Sequence, residues 1–139
     1  MIKYCFAKFN DWEEIREQVD EDLENSNLSV IPITNKKVFK EHINKKQIII
    51  AKNNKEIIGL IQFNKRKDGV THITNLWVKP ENRKKRIGSK LLSIIHKPIQ
   101  LNCIADNPAL IFYLKNSFKI KGYHYNKNNK KIIELIKKG

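Results

Sequence analysis

The sequence predicts an α/β protein of the α+β type, a mostly antiparallel sheet of about six to seven strands flanked by four helices. Three observations carry this. Apolar residues alternate between strand-like and helical spacing in short successive segments. The strand-like segments are joined by Asn-, Asp- and Gly-bearing turns. The chain has 139 residues, 40% of them hydrophobic and 30% charged, the size and balance of one globular domain.

Residues 2–6 read as a first strand. A helix follows over residues 12–24: Asp11 and Glu14 have capping-box spacing, and Trp12, Ile15, Val19 and Leu23 fall on one face. That face turns inward and leaves the acids outward. Residues 35–44 form a second helix, capped by Thr34, with Val38, Phe39 and Ile43 inward. Strands at 47–52, 56–65 and 70–78 are joined by Asn53-Asn54-Lys55 and by a loop ending in Asp68-Gly69, both suited to antiparallel hairpins. Residues 88–96 are helical, with Ile87, Leu91, Leu92 and Ile95 at helical spacing. A strand at 99–104, a helix at 108–116 and strands at 118–125 and 131–136 give the order β-α-α-β-β-β-α-β-α-β-β. No repeat or linker interrupts it, so residues 1–139 read as a single domain.

No apolar run approaches the roughly 20 residues of a membrane span, and the N-terminus MIKYCFAKFNDW lacks the apolar core and cleavage site of a secretory signal. A cytoplasmic protein with no membrane partner is expected. Cys5 and Cys103 have neither metal-site nor disulfide-framework spacing and read as buried structural thiols, with no metal. The charge is uneven. Against 28 Lys plus Arg stand 14 Asp plus Glu, a net of +14. Residues 1–27 hold three bases and eight acids, and the rest hold 25 bases and 6 acids. A basic body attracts phosphate-bearing ligands or nucleic acid, and an acidic helix attracts an amine. Most lysines of a chain rich in Lys, Asn and Ile are equally well read as solvated surface.

The stretch that carries chemistry is NLWVKPENRKKRIGSKLL, residues 75–92. A strand ends at Val78, Pro80 breaks it, and a basic loop reaches Gly88 as a helix begins. Free N–H groups and the helix dipole make such a terminus an anion site. This stretch resembles motif A of the GNAT superfamily, the acetyl-CoA-dependent N-acetyltransferases. The family has Q/R-x-x-G-x-G/A after a strand ending in an apolar-Val-x-Pro pattern, and Arg83-Lys84-Lys85-Arg86-Ile87-Gly88 matches it. Arg86 stands at the family's usual first glycine, where it either tightens phosphate binding or crowds the loop. EIIGLIQF, residues 56–63, resembles the family's third strand with its internal Gly59. PALIFYLKNSF, residues 108–118, resembles the A-x-x-F-Y-x-x-x-G-F segment through Ala109, Phe112, Tyr113 and Phe118, with Ser117 replacing the usual glycine. The resemblance is specific over about residues 47–125 and topological before them.

The resemblance implies the GNAT fold, a mixed sheet with a splayed central parallel pair of strands, and an acyl-CoA-dependent acetyltransferase with acetyl-CoA as co-substrate. Backbone groups of Leu76, Trp77 and Val78 would hold the acetyl-pantetheine, and Arg83, Lys84, Lys85, Arg86, Ile87, Gly88 and Ser89 the pyrophosphate. A backbone N–H of that strand would stabilise the developing oxyanion, and a neutral amine would attack directly. Trp77, bulkier than the usual residue, is expected to pack in the core. Tyr113 matches the family's general acid, since a phenol with pKa near 10 is protonated at neutral pH; its other role is a core aromatic. His72 falls where the histone-modifying branch has its catalytic Glu and is suited to accept a proton. The alternative is a structural His with an ordered water as base. Asn102, at the place of a fifth-strand Glu in the branch that modifies protein N-termini, cannot be a base. Counting back from Tyr113 puts Asp106 at the CoA-contacting position, and counting forward from Cys103 puts Asn107 there. Asn107 is chemically the better choice, because an Asp would repel phosphates.

The acceptor stays open. An amine of a small molecule, peptide or protein would suit the acidic first helix. RNA is the alternative partner, as an aminoacyl-tRNA whose amine some toxin members of the family acetylate. From a different class comes a non-catalytic nucleic-acid-binding module on the same fold, although Phe, Tyr and Trp are not interleaved with the bases as a stacking platform needs. Many family members dimerise through the last strands, and the sequence decides neither for nor against a homodimer.

Overall fold

Strand β1 (Ile2–Phe6) opens the chain and is followed by a 3₁₀ turn over Phe9–Asp11 and helix α1 (Trp12–Asn25). Then come α2 (Lys36–Asn44), β2 (Ile48–Asn53), β3 (Glu56–Lys65), β4 (Thr71–Val78), α3 (Ile87–Ile94), β5 (Ile99–Ile104), α4 (Ala109–Lys115), β6 (Lys119–Tyr125) and β7 (Lys131–Lys137). The computed structural model describes residues 1–25 and 36–139. Thr34 and Asn35, and the side chain of Leu23, lie outside the described residues. The order of elements is the expected one, with ends displaced by a residue or two. The strands form one mixed sheet in the order β1-β2-β3-β4-β5-β7-β6. β4 and β5 pair in parallel at Thr71↔Ile99 and His72↔Gln100, whereas β1–β2, β2–β3, β5–β7 and β6–β7 are antiparallel.

The chain divides into two compact units. The first comprises Met1–Phe63 and Thr74–Ile94. Its core joins Trp12, Ile15 and Val19 of α1 to Phe39 of α2, Ile48 and Ile50 of β2, Ile57 and Leu60 of β3, and Trp77 of β4. The Trp12 and Phe39 rings meet at 5.0 Å. Val38, expected inward, is exposed. Phe39 and Ile43, four residues apart, define the buried face, and a residue next to Phe39 is rotated about 100° off it.

The acids of α1 are not all outward. Glu13, Glu17 and Glu21 are exposed, but Glu14 is half-buried, and Asp11, in the turn before the helix, is buried. Asp11 Oδ2 accepts the Lys8 N–H at 2.8 Å, and Oδ1 lies 3.3 Å from Lys52 Nζ. Glu14 is engaged away from its own helix start. Its Oε2 reaches across to accept the Ile57 N–H at 2.7 Å. Cys5, expected buried, is exposed. β1 is the sheet's edge, and strand alternation turns Lys3 and Cys5 outward while Ile2 and Tyr4 are half-buried.

Gly59 marks a close approach of α3 to β3. A Cβ there would stand 3.2 Å from both Ile87 Cγ2 and the Trp77 carbonyl oxygen. A side chain there would make Ile87 or the Trp77 backbone give by a few tenths of an ångström.

The second unit comprises Asn64–Ile73 and Ile95–Gly139. Ile99, Leu101 and Cys103 of β5 are buried, as are Ile133 and Leu135 of β7, Tyr113 of α4, and Phe118. The β6–β7 turn is built by Asn126, whose Oδ1 accepts the N–H groups of Asn128 and Lys130 at 2.9 and 3.0 Å. After α4 the chain leaves through Ser117 at φ 71, while the Phe118 N–H closes on the Tyr113 carbonyl at 3.1 Å. A left-handed residue past a helix end is the usual place for glycine.

Because a side chain in that conformation costs roughly 1–2 kcal/mol, Ser117→Gly is expected to raise stability by about 1 kcal/mol. Gly59→Ala is expected to lower it by about 1–3 kcal/mol through overpacking. Thermal unfolding of the two variants checks both signs, and a Ser117→Gly protein that melts no higher than its parent would contradict the strain.

Candidate functional site

In the first unit β4 leaves the sheet at Val78. The Lys79 N–H still bonds to the Ile58 carbonyl at 2.8 Å, and Pro80 then starts a 3₁₀ turn over Pro80–Asn82. The Val78 carbonyl points out of the β3–β4 ladder and accepts Arg83 Nε–H at 2.8 Å. Strand alternation puts the backbone groups of Leu76 on the same side as those of Val78. Trp77, between them, has its side chain buried in the core as expected.

The loop then passes through two left-handed residues, Lys84 at φ 69 and Arg86 at φ 64. Arg86 takes the conformation that a glycine would adopt without strain, and its side chain is exposed. The substitution is therefore absorbed by the backbone. The first α-helical bond of α3 runs from the Lys90 N–H to the Arg86 carbonyl at 3.0 Å, so the N–H groups of Ile87, Gly88 and Ser89 have no acceptor within the helix. Ile87 is buried against the position of Gly59, and only its backbone is free to meet an anion. Lys84, Lys85 and Arg86 are exposed and make no ion pair among the described residues. Lys79 differs: it pairs with Glu56 and, at 3.5 Å, with Glu81. The Glu56 carboxylate holds its pKa above the usual lysine range.

Arg83 is tied down by a residue that sequence reasoning missed. Its Nη2 donates to Asp22 Oδ2 at 2.6 Å, and the same oxygen accepts Trp77 Nε1–H at 2.8 Å. Asp22 comes from α1, and its side chain is 14% exposed. A signal for it exists: Asp22 lies three residues after Val19 and seven after Ile15, on the buried stripe, and a buried indole needs an acceptor.

In the second unit His72 is half-buried, and its Nδ1–H donates to Oε1 of Gln100, its partner across the parallel pair. Because an amide oxygen only accepts, the neutral ring keeps its lone pair on Nε2. Gln100 is oriented in turn by its Nε2–H bond to Asn102 Oδ1 at 2.8 Å. Tyr113 sits edge-on between Phe112 and Phe118, at centroid distances of 5.3 and 5.6 Å. Burial, and secondarily the charge of Cys103, raises its phenol pKa well above the usual value. Burial, with Asp106 contributing, also pushes the Cys103 thiol up. Asn107 Oδ1 accepts the N–H of Ala109, the first residue of α4, at 2.9 Å, so Asn107 serves the helix start, and Asp106 is exposed.

The family model of the acetyltransferase (GNAT) domain matches residues 44–120, more than half of the chain. Among solved structures, a GNAT-family acetyltransferase from Bacillus cereus is similar at 19% identity over 99% of this chain and 97% of that one, with a TM-score of 0.79. The ribosomal-protein-S18-alanine N-acetyltransferase from Escherichia coli is similar at 14% identity over 98% and 92% of the two chains, with a TM-score of 0.74. A Bacillus anthracis protein described as a streptothricin acetyltransferase, in complex with acetyl coenzyme A, is similar at 24% identity over 73% and 68%, with a TM-score of 0.66. No curated protein sequence matches the chain. At these identities the structures speak for the fold, and the domain match speaks for the family: the chain belongs to the GNAT acetyltransferases, enzymes that take their acetyl group from acetyl-CoA.

Proposed function

We propose that this protein transfers the acetyl group of acetyl-CoA to a primary amine, carried by a small molecule or by a peptide or protein. The observation that supports this most is the loop before α3, where three helix-terminal N–H groups stand with three cations that make no ion pair among the described residues. The N–H groups of Ile87, Gly88 and Ser89 bind the pyrophosphate, and Lys84, Lys85 and Arg86 supply its counter-charge. The backbone of Leu76 and Val78 holds the pantetheine and polarises the thioester carbonyl, whereas the Trp77 carbonyl faces Gly59 of β3. The Asn107 amide NH2, free of the Oδ1 bond to Ala109, meets the co-substrate. Both units belong to one acetyltransferase domain, a reading supported by the B. cereus and E. coli structures, which extend over 99% and 98% of the chain. The E. coli relative, named for a ribosomal-protein alanine, favours a protein amine as acceptor.

In the reaction the amine nitrogen bonds to the acetyl carbon and the C–S bond breaks. Tyr113 gives its phenolic proton to the leaving thiolate, and His72 Nε2 takes the proton released by the amine. Gln100 fixes the tautomer this requires. The buried phenol is suited to its part because its raised pKa keeps it protonated through neutral and mildly alkaline pH.

Acetyl-CoA is expected to raise the melting temperature saturably, by an amount equivalent to about 2.7 kcal/mol at a hundredfold excess over Kd. A protein that neither melts higher nor binds acetyl-CoA at high micromolar concentration would overturn the proposal. Tyr113→Phe is expected to lower kcat by about 10²–10⁴ while leaving the KM for acetyl-CoA within about twofold; full turnover would remove the acid role alone. His72→Gln tests the base in the same assay, and an unchanged kcat would hand the proton to a water.

The same phenol sets a pH dependence of stability. With a folded pKa above the unfolded value near 10, Tyr113 contributes stability that is fully present below about pH 10 and is lost as pH rises through the folded value. Denaturant unfolding of wild type and Tyr113→Phe at pH 8 and pH 11 is expected to show the smaller alkaline loss in the variant.

A further inference from the structure

The outer edge of the second unit carries a surface that acetyl transfer does not use. β6 ends the strand order, and every residue of it except Gly122 is exposed. Ile120 pairs with Leu135, Tyr123 with Ile133 and Tyr125 with Lys131. The register shift between Ile120 and Gly122 keeps all three on the face of buried Leu135 and Ile133. They are nonetheless 57%, 60% and 58% exposed. The two tyrosine rings stand at 88° with centroids 6.1 Å apart, and Lys131 Nζ lies 4.5 Å over the Tyr123 ring. Lys119, Lys121, Lys127, Lys130, Lys131 and Lys138 are exposed on the same hairpin and its tail. The one carboxylate among them, Glu134, accepts a bond from His124 Nδ1–H at 2.9 Å.

Lysines alone are explained by the need to blunt an edge strand. Two tyrosines more than half exposed on that edge are not. Exposed aromatic rings on a lysine-rich hairpin, with Lys131 over Tyr123, fit one chemistry well: a phosphate backbone whose bases are free to stack. A second copy of the chain fits poorly, because a two-fold contact through β6 would set these lysines against themselves. The sequence shows no aromatic interleaving at the scale of the whole chain, yet residues 119–131, KIKGYHYNKNNKK, interleave locally, and the register brings Tyr123, Tyr125 and Lys131 onto one face. We propose that the β6–β7 face binds an unpaired stretch of nucleic acid, with bases on Tyr123 and Tyr125 and phosphates on the surrounding lysines. The binding does not depend on acetyl transfer.

The full chain is titrated with a fluorescein-labelled oligo-uridine RNA of about 12 nucleotides, with DNA of the same sequence, with a blunt duplex and with inorganic polyphosphate. The single strands are expected to bind more tightly than the duplex, with affinity falling steeply as salt rises; whichever of RNA and DNA binds better identifies the source. The Tyr123→Ala/Tyr125→Ala protein is expected to lose at least about tenfold in single-strand affinity and to keep its polyphosphate affinity within about twofold. Its melting shift with acetyl-CoA, compared with the parent's, reports whether the fold is retained. Tyr123→Phe/Tyr125→Phe, which keeps both rings, is expected to bind as the parent does, so a folding defect in the alanine protein leaves the claim testable. Equal affinity for polyphosphate, duplex and single strand, unchanged by the tyrosine substitutions, would overturn it. A concentration-dependent dimer abolished by the alanine pair would overturn it too and assign the face to a second copy.

Discussion

An indole buried on a strand must find an acceptor for its N–H, and in the first unit that acceptor is one carboxylate oxygen of Asp22. An unpaired donor in such a place costs about 1–3 kcal/mol, so the partner is fixed within narrow limits. The same oxygen also takes Arg83 Nη2, and Arg83 in turn holds the Val78 carbonyl. Helix α1 is thereby fastened at one point to the end of β4 and the loop before α3. The position of α1 and the path of the loop are two consequences of the same constraint. A ligand that takes the Val78 carbonyl must compete with Arg83 for it.

The loop and the end of α4 share a second property. Arg86 and Ser117, at positions where the family usually carries glycine, keep the left-handed backbone that glycine would supply, at φ 64 and 71. The backbone path is retained and the side-chain chemistry changes. At Ser117 only stability is affected, because an exposed hydroxyl adds nothing to the helix end. At Arg86 the strain brings a cation to the start of a helix dipole, where an anion is favoured. The same backbone cost thus has different value at the two places.

The order of elements is legible in the sequence because each segment buries one face, and burial of one face leaves a period of two or of 3.6 that a single chain displays by itself. The loop is legible for a similar reason: Pro80, four consecutive cations and Gly88 are local. What could not be read was pairing across the sheet. Glu14 looks like a capping residue until β3 brings the Ile57 N–H to it. Cys5 looks like a core thiol until the strand order leaves β1 at an edge. His72 shows nothing of Gln100, because their contact comes from a parallel register between strands separated by a helix. In each case the chemistry of the side chain was evident and its partner was not.

This difference changes how the charge should be counted. Of the acids near the N-terminus, Asp11, Glu14 and Asp22 turn to Lys52, Ile57 and the Trp77–Arg83 pair, which leaves Glu13, Glu17 and Glu21 as the exposed acids of α1 whose placement is described. The acidic helix that the sequence offers to an amine is therefore weaker in the folded chain than its composition implies. The cations show the opposite trend. Apart from pairs such as Lys52–Asp11 and Lys79–Glu56, the lysines of the α3 loop and of the β6–β7 hairpin remain outward. Each ion pair withdraws one cation with its carboxylate, so the net of +14 is unchanged, and the α3 loop and the β6–β7 hairpin are where exposed cations gather. Recognition by this chain is thus directed toward anions, and an amine acceptor must be held by something other than long-range attraction.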